Sequence, residues 1–298
     1  MLTMSSAPSR TLRQVKVLSL ALNLPGPAAL MRLRQLGARC VKVEPPAPPQ
    51  APHLRRGDPM HTYAPEAYAE LHEGIRVLVL DLKNPAAHKR LHRELASTDI
   101  LLTSFRPSAL DRLGLGWKTL HRQYPALSQV AIVGGPGPNA EIPGHDLTYL
   151  AENDLITGLD LPATLYADMS GARMASEAVL QALLQQRSSG RGIRLEVALS
   201  DAAAWLAMPR RWGLTQPAGA VGGAHAGYLV YRCRDGRVAV AALEPHFARA
   251  LCTAAGIEAC DMFAAATREA LTQWFAQQTR RQLDRIAKQH DLPLHTLP

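Results

Sequence analysis

Three acid–base side chains stand where the sequence predicts a turn, the start of a helix or the end of a strand. His145 lies in a turn that leads into a predicted helix, and an imidazole can act as a general base at neutral pH. Asp168 directly precedes a long predicted helix, whose dipole and amides favour the carboxylate anion. Glu244 ends an apolar strand before Pro245, where a charge needs a partner. From spacing alone, a turn residue, a helix N-cap and a carboxylate at the start of a helix remain open as structural alternatives.

Sequence signatures of other enzyme classes are missing. The sequence contains no GxGxxG after a strand, no GxxxxGK[ST], no GxSxG and no HExxH. Its four cysteines, Cys40, Cys233, Cys252 and Cys260, are widely spaced and form no CxxC pair. This spacing argues against a zinc site and predicts a reducing compartment.

Composition and charge narrow the class of protein further. The 298 residues are 47% hydrophobic and 19% charged, which predicts a folded protein of one large or two unequal domains. The net charge of +8 comes from scattered arginines without a zinc-finger or basic-zipper pattern, so we do not expect nucleic acid as a partner. Neither a signal peptide nor an apolar run of the roughly 20 residues that a membrane helix needs is evident. We therefore expect a cytoplasmic protein with no membrane partner.

Alternating strands and helices must position these side chains. The first half predicts βαβ units and hence a Rossmann-like α/β fold, in which a parallel sheet holds its ligand at the carboxyl ends of the strands. The proline-rich segment 44–59 predicts a loop, either a plain surface loop or one leading to a ligand mouth. We place a large α/β domain at 1–195 and a smaller α+β domain at 196–298. The predicted strands of the first half are 15–21, 40–43, 76–82, 100–104 and 130–134, with helical segments near 84–97 and 107–123 between the last three. A further predicted strand, 193–198, crosses the boundary, and two more are expected around 233–238 in the smaller domain.

Four segments in order resemble one known superfamily. The opening VKVLSLALNLPGPAALMRLRQLGARCVKVEPP, then VLDLKNPAA, SFRPSALDRLGLGW and SSGRGIRLEVALSDAAAWL, are similar to motifs of the class III CoA-transferase and α-methylacyl-CoA racemase (CaiB/BaiF) superfamily. Any one of these motifs is weak by itself, and their joint occurrence in this order is specific. The resemblance implies that 1–195 binds coenzyme A.

The resemblance implies roles for the three acid–base residues. The transferases use an aspartate, here Asp168, as a nucleophile that forms an acyl anhydride and then an aspartyl-CoA thioester. The racemase motif G-H-D-x-x-Y-L-A is similar to 144–151, and its E-P-x-F motif is similar to 244–247. In racemase chemistry His145 and Asp168 would be two bases on opposite faces of the α-carbon. A hydrogen bond from Glu244 would tune Asp168, and amides at the start of the helix at 169 would support the enolate.

The resemblance also implies the substrate and its contacts. Coenzyme A is part of the substrate, with no permanently bound cofactor and no metal, and the enzyme forms a homodimer, interlocked in this family. Departures from the family pattern are Ala167 before the aspartate, Pro45 in place of an arginine, and a shorter C-terminal region. The residues we expect to contact coenzyme A are Arg76, Lys83, Phe105, Arg106, Arg112, Gly144 and Tyr149.

Three hypotheses follow from the sequence. The leading one is a racemase or epimerase of 2-methyl-branched acyl-CoA thioesters in fatty acid metabolism. The second is a class III CoA-transferase with Asp168 as the covalent nucleophile. The third is a CoA-binding paralogue that has lost catalysis.

Overall fold

The computed structural model describes residues 11–48 and 56–298 and divides the chain into two compact units. The first unit is Met1–Ala207 and the second is Met208–Pro298. This division falls later in the chain than the boundary expected at 195/196. The reason is that the segment Arg194–Ala198 forms the edge strand of the first unit's sheet and pairs with Ser128–Val133.

The first unit is built on a six-stranded sheet in which all strand pairs are parallel. The predicted α/β class with a Rossmann-like parallel sheet is therefore confirmed. In space the strands run in the order β3-β2-β1-β4-β5-β6, so the chain changes direction across the sheet between β1 and β4. The strands are β1 (Lys16–Ser19), β2 (Arg39–Glu44), β3 (Arg76–Val79), β4 (Ile100–Thr103), β5 (Ser128–Val133) and β6 (Arg194–Ala198).

Helices connect these strands. Five of them begin with proline in the first turn, where the missing N–H costs no hydrogen bond. The segment 107–123, expected to be one helical stretch, forms two helices because Gly114 adopts a left-handed φ of 68° between them. The helices of this unit are α1 (Pro25–Gln35), α2 (Pro59–Tyr63), α3 (Pro65–Leu71), α4 (Pro85–Leu95), α5 (Pro107–Arg112), α6 (Trp117–Gln123), α7 (Asp146–Glu152), α8 (Tyr166–Ser189) and α9 (Leu199–Leu206).

Apolar side chains cover both faces of the sheet. On β4, Ile100 and Leu102 belong to the core on the side of α1 and α8. Leu101 belongs to the core on the opposite face, together with residues of α4 to α6. Burial on both faces explains why β4 carries apolar side chains in succession rather than alternating in polarity.

The second unit is a small α+β domain. Its antiparallel sheet has the order β7-β8-β9, and helices pack on it around fully buried Phe275 and Leu283. Its third strand was not predicted, because Leu294–Leu297 carries only two apolar side chains and no apolar run to mark a strand. No helix within the described residues is long and apolar enough to cross a membrane. The elements are α10 (Met208–Arg211), β7 (Tyr228–Cys233), β8 (Gly236–Ala241), α11 (Pro245–Ala255), α12 (Ala265–Gln277), α13 (Arg280–His290) and β9 (Leu294–Leu297).

Two cysteines of this unit form a disulfide, which the sequence spacing did not anticipate. Helix α11 ends at Gly256, whose φ of 70° reverses the chain and returns Cys260 to the side of Cys252. The Cα atoms of Cys252 and Cys260 lie 5.9 Å apart, within the range of disulfides. Cys40 and Cys233 are buried free thiols.

Candidate active site

A cleft of about 270 Å³ lies where the sheet changes direction. Residues that follow three adjacent strands form its walls: Asn23 after β1, Ser104 after β4 and Gly134 after β5. Ser104 Oγ also accepts a hydrogen bond of 3.1 Å from the amide of Leu22, which joins two of these walls. This is the position at which a doubly wound parallel sheet holds its ligand.

His145 and Asp168 both line this cleft, although 22 residues separate them in the sequence. His145 directly precedes α7 and is exposed. Its amide donates to Thr148 Oγ1 at 3.1 Å, and that hydroxyl donates to the carbonyl of His145 at 2.8 Å. The backbone of the histidine is therefore held by the first turn of the helix, while its ring borders the cleft.

The carboxyl group of Asp168 differs from the expectation. Asp168 lies in the first turn of α8, which begins at Tyr166, and was expected to be favoured as the anion by the helix terminus. Burial instead raises the pKa of Asp168 from 3.8 to about 6; the charge of Asp146 adds to this increase, and His145 opposes it. Desolvation of the carboxylate, together with the charge of Asp146, outweighs the helix dipole, which typically contributes only about 0.3–1 kcal/mol.

Asp146 is a site residue that the sequence reasoning missed. Its side chain is buried, with 4% exposure, and its Oδ1 accepts a 2.9 Å hydrogen bond from the amide of Asp168. This contact ties the start of α7 to the start of α8 and brings a second carboxylate close to Asp168. The signal was present in the sequence, because Asp146 directly follows His145 in the G-H-D motif.

The amides at the start of α8 do not match the role expected for them. The amide of Asp168 donates to Asp146, and the amide of Met169 donates to the carbonyl of Leu165 at 3.1 Å. Both donors are therefore already engaged and do not form an oxyanion site.

Tyr149 supplies a different hydrogen-bond donor at the cleft. Its ring packs against two glycines, since a Cβ on Gly134 or Gly144 would lie 2.7 Å from the tyrosine hydroxyl oxygen. Burial raises the pKa of Tyr149, and the charge of Asp168 raises it further, so the hydroxyl is protonated at neutral pH. The glycines thus leave room for a neutral phenol that lines the cleft together with Asp168.

The expected coenzyme A contacts divide into two groups. Phe105, Arg106, Gly144 and Tyr149 line the cleft. Arg106 is exposed and supplies a cation at the cleft wall.

Lys83, Arg112 and Arg76 do not line this cleft in the described part of the chain. Lys83 and Arg112 are exposed. Arg76 begins β3, so it lies at the amino ends of the strands, opposite the cleft, where it pairs with Glu94 at 2.7 Å. The expectation overlooked that Arg76 opens the predicted strand 76–82, whose carboxyl end is the one that faces the ligand.

Glu244 belongs to the second unit, whereas His145 and Asp168 belong to the first. It is exposed at the start of α11, where its carbonyl accepts the amide of Ala248 at 2.9 Å. The expected hydrogen bond between Glu244 and Asp168 stays a prediction.

Asp146→Asn should lower the pKa of Asp168 from about 6 towards its ordinary value, because it removes the neighbouring negative charge. Asparagine keeps an oxygen that can accept the amide of Asp168. The acidic limb of a pH–rate profile should move to lower pH by up to about one pH unit. A pH titration of the Asp168 carboxyl carbon by NMR measures the same change directly, and an unchanged titration would contradict the coupling.

His145 and Asp168 lie in a cleft at the point where the strand order of the doubly wound sheet reverses. This arrangement is typical of a ligand-binding α/β protein, and its side chains can carry out proton transfer or nucleophilic chemistry. The chain belongs to CoA-transferase family III, whose family model matches residues 12–297. Members of this family are enzymes, either racemases or CoA-transferases.

Named relatives represent both kinds of enzyme. The chain is 29% identical over 211 residues to the probable fatty acyl-CoA transferase Rv3272 of Mycobacterium tuberculosis, covering 68% of this chain and 54% of that protein. It is 31% identical over 265 residues to the mouse α-methylacyl-CoA racemase, covering 83% of this chain and 65% of the relative. The chain therefore spans between about half and two thirds of the length of these relatives.

Solved structures show the same fold. The Rv3272 crystal structure from Mycobacterium tuberculosis matches with a TM-score of 0.81 at 24% identity, covering 97% of this chain and 84% of that chain. A CaiB/BaiF family protein from Brucella suis matches with a TM-score of 0.77 at 22% identity, covering 98% of this chain and 85% of that chain.

Proposed function

We propose that this protein is an acyl-CoA racemase or epimerase that moves a proton at the α-carbon of a 2-methyl-branched acyl-CoA thioester. The observation that carries the proposal is the shared cleft of His145 and Asp168. An imidazole and a carboxyl group there offer two proton-transfer groups for one carbon. The reaction needs no permanently bound cofactor, because coenzyme A enters as part of the substrate.

Two bases suit this chemistry because inversion requires that a proton leave one face of the carbon and arrive on the other. One group abstracts the proton while the other, in its protonated form, delivers one. The pKa of Asp168, raised to about 6, supports this role, because a proton-transfer group works best when its pKa lies near the working pH.

The enolate oxygen also needs a hydrogen-bond donor, since the α-proton of a thioester is only weakly acidic. Because the amides of Asp168 and Met169 are engaged, the hydroxyl of Tyr149 is the donor we assign to this oxygen. Its raised pKa keeps it protonated, and a neutral donor adds no charge that must be removed from water. Tyr149→Phe would remove the hydroxyl and keep the ring that packs against Gly134 and Gly144.

The size of the cleft suits the reacting end of the substrate. A volume of about 270 Å³ lies just below the range of roughly 300–1,000 Å³ that is typical of ligand sites, so the cleft would hold an acyl thioester rather than a whole coenzyme A. Arg106 at the wall offers a cation to the anionic remainder of the molecule. The likeness to mouse α-methylacyl-CoA racemase supports this substrate class.

Incubating the purified protein with 2-methylacyl-CoA in deuterated water tests the proposal. We expect the α-hydrogen to be replaced by deuterium, observed by NMR and by mass spectrometry of the thioester. Substrate of a single configuration should lose optical purity at a comparable rate. Intact substrate that keeps its α-hydrogen, in a sample that binds it, would contradict the proposal. Only the absence of both exchange and acyl transfer would favour the hypothesis of a paralogue that has lost catalysis.

A CoA-transferase remains the second candidate because the same carboxyl group could act as a nucleophile. Above pH 6 Asp168 is mostly ionised, and it lies in the cleft with a cation, Arg106, at the wall. Relatives of this chain include the succinyl-CoA–D-citramalate CoA-transferase of Chloroflexus aurantiacus, at 30% identity over 213 residues. Hydroxylamine added with an acyl-CoA donor should then convert Asp168 to a hydroxamate, detectable by peptide mass spectrometry.

The proposal includes a homodimer, which the resemblance to the family supports. Light scattering coupled to size-exclusion chromatography measures the mass of the particle in solution. A particle of one chain at the concentrations used for the assay would contradict this part of the proposal.

A further inference from the structure

A buried ionic cluster lies beside the cleft and has no part in the chemistry described above. At its centre is Lys42 on β2, whose side chain is fully buried. Its ammonium group lies 3.3 Å from Glu44 Oε1, forms an ion pair with Asp58 Oδ2, and lies 2.9 Å from His72 Nε2. An ammonium group has three N–H donors, and three acceptors surround this one.

The tautomer of His72 follows from its other nitrogen. His72 Nδ1 lies 2.6 Å from the carbonyl of Tyr68, and a carbonyl can only accept, so Nδ1 carries the hydrogen. Nε2 therefore offers a lone pair to Lys42.

The acceptors around Lys42 form a donor set that suits a divalent cation. One ligand atom each from Glu44, Asp58 and His72 lies within 4.8 Å of the others, and all three residues are buried. Two carboxylates face one ammonium. Glu44 Oε2 is buried with no hydrogen-bond partner among the described residues. Two carboxylates and an imidazole are the kind of ligands that bind Mn²⁺.

Asp58 connects this cluster to the wall of the cleft. Its second oxygen, Oδ1, accepts the amide of Met60 at 2.9 Å and the amide of Asn23 at 3.3 Å. Asn23 lines the cleft with a φ of 62°, in the left-handed region that asparagine enters more readily than most non-glycine residues. The ion pair with Lys42 fixes the carboxylate that holds this turn.

We propose that the Lys42 ammonium occupies a built-in cation site formed by Glu44, Asp58 and His72, and that through Asp58 it positions the cleft wall at Asn23. Lys42 is a positioning residue and does not touch the substrate. The existence of the cation site is independent of the reaction, whereas the effect on catalysis rests on the proposed function.

Lys42→Ala tests the cation site, because it empties the space of the ammonium and leaves the three ligands. Isothermal titration calorimetry with Mn²⁺ should show one ion bound per chain of Lys42→Ala. The Kd of this variant for Mn²⁺ should be at least about tenfold lower than the Kd of the unchanged protein. The matched control is the double variant Lys42→Ala with Asp58→Asn, which should lose this binding. Equal Mn²⁺ binding with and without Lys42, or no binding by Lys42→Ala, would overturn the cation site.

Lys42→Ala leaves two buried carboxylates without a positive partner, which can prevent this variant from folding. In that case the ability of Mn²⁺ to refold the variant tests the cation site instead of the titration. Recovery of the native circular dichroism spectrum in Mn²⁺, but not in the same concentration of Mg²⁺, supports the site, because Mg²⁺ binds imidazole poorly. Failure to recover in Mn²⁺ contradicts it.

Catalysis tests the positioning role. In Lys42→Ala without metal, kcat for α-hydrogen exchange should fall by about 10- to 100-fold, and Mn²⁺ should restore most of it. Asp58→Asn keeps an acceptor oxygen for the amides of Asn23 and Met60, so it should retain more activity than Asp58→Ala. Mn²⁺ binding without recovery of kcat would overturn the positioning role. If the unchanged protein catalyses neither exchange nor transfer, the proposed function fails while the Mn²⁺ titration still decides the cation site.

Discussion

Asp168→Asn should abolish proton transfer and, at the same time, stabilise the folded protein at pH 8. Loss of a proton-transfer group lowers rates by about 10²- to 10⁴-fold, and this side chain is one of the two such groups that we assign in the cleft. Asparagine has nearly the same shape and keeps an acceptor oxygen, but it can neither take nor deliver a proton. The rate of α-hydrogen exchange in deuterated water measures the loss.

The gain in stability follows from the raised pKa of the carboxyl group. Because its pKa rises from 3.8 in the unfolded chain to about 6 in the folded one, the folded state binds the proton more tightly. The contribution of the protonated carboxyl group to the free energy of unfolding is therefore fully present below pH 3.8 and is lost as the pH rises through about 6. The difference corresponds to at most about 3 kcal/mol, and partial exposure reduces it to about 1–2 kcal/mol.

Urea denaturation at pH 4 and pH 8 measures this second effect. At pH 8 the free energy of unfolding of Asp168→Asn should exceed that of the unchanged protein by about 1–2 kcal/mol, and at pH 4 the two should nearly coincide. Asp160→Asn is the matched control, because Asp160 is exposed and should change neither stability nor rate. A destabilised Asp168→Asn at pH 8 would show that the carboxylate is a structural anion rather than a buried acid–base group.

His145→Gln should lower the rate of α-hydrogen exchange by about 10²- to 10⁴-fold while leaving any thioester exchange through Asp168 largely intact. Glutamine keeps hydrogen-bonding atoms at the cleft but cannot act as a base at neutral pH. The backbone hydrogen bonds of His145 with Thr148 do not depend on the imidazole, so the start of α7 should remain folded.

Running both assays on this variant separates the two candidate reactions. His295→Gln is the matched control, since His295 is exposed on β9 in the second unit. Loss of exchange with retained transfer assigns His145 to proton transfer. Exchange that proceeds at the full rate in His145→Gln would mean that Asp168 and a group other than the imidazole move the proton.

Local pattern was enough to locate most strands and helices. The apolar runs at 100–104 and 130–134 became β4 and β5, because both faces of a parallel sheet are buried and its strands carry apolar side chains in succession. The same pattern could not show that 107–123 is two helices. That break depends on the backbone conformation of Gly114, which apolar spacing does not encode.

Contacts between side chains that lie far apart in the sequence could not be predicted from the sequence. The pairing of Asp146 with Asp168 joins the starts of two helices. The contacts of Lys42 with Asp58 and His72 join a strand to the residue before α2 and the residue after α3. Each depends on how the elements pack. The disulfide between Cys252 and Cys260 likewise needed the reversal at Gly256.

The α/β class and the family motifs could be recognised from the linear chain, together with the proposed acid–base residues His145 and Asp168, because periodicity and motif order are local properties. The packing of the folded chain was needed to show that these two residues share one cleft. It was also needed to show that burial raises the pKa of Asp168 to about 6. Desolvation and charge proximity depend on which atoms surround a group in space, and linear spacing carries no record of that.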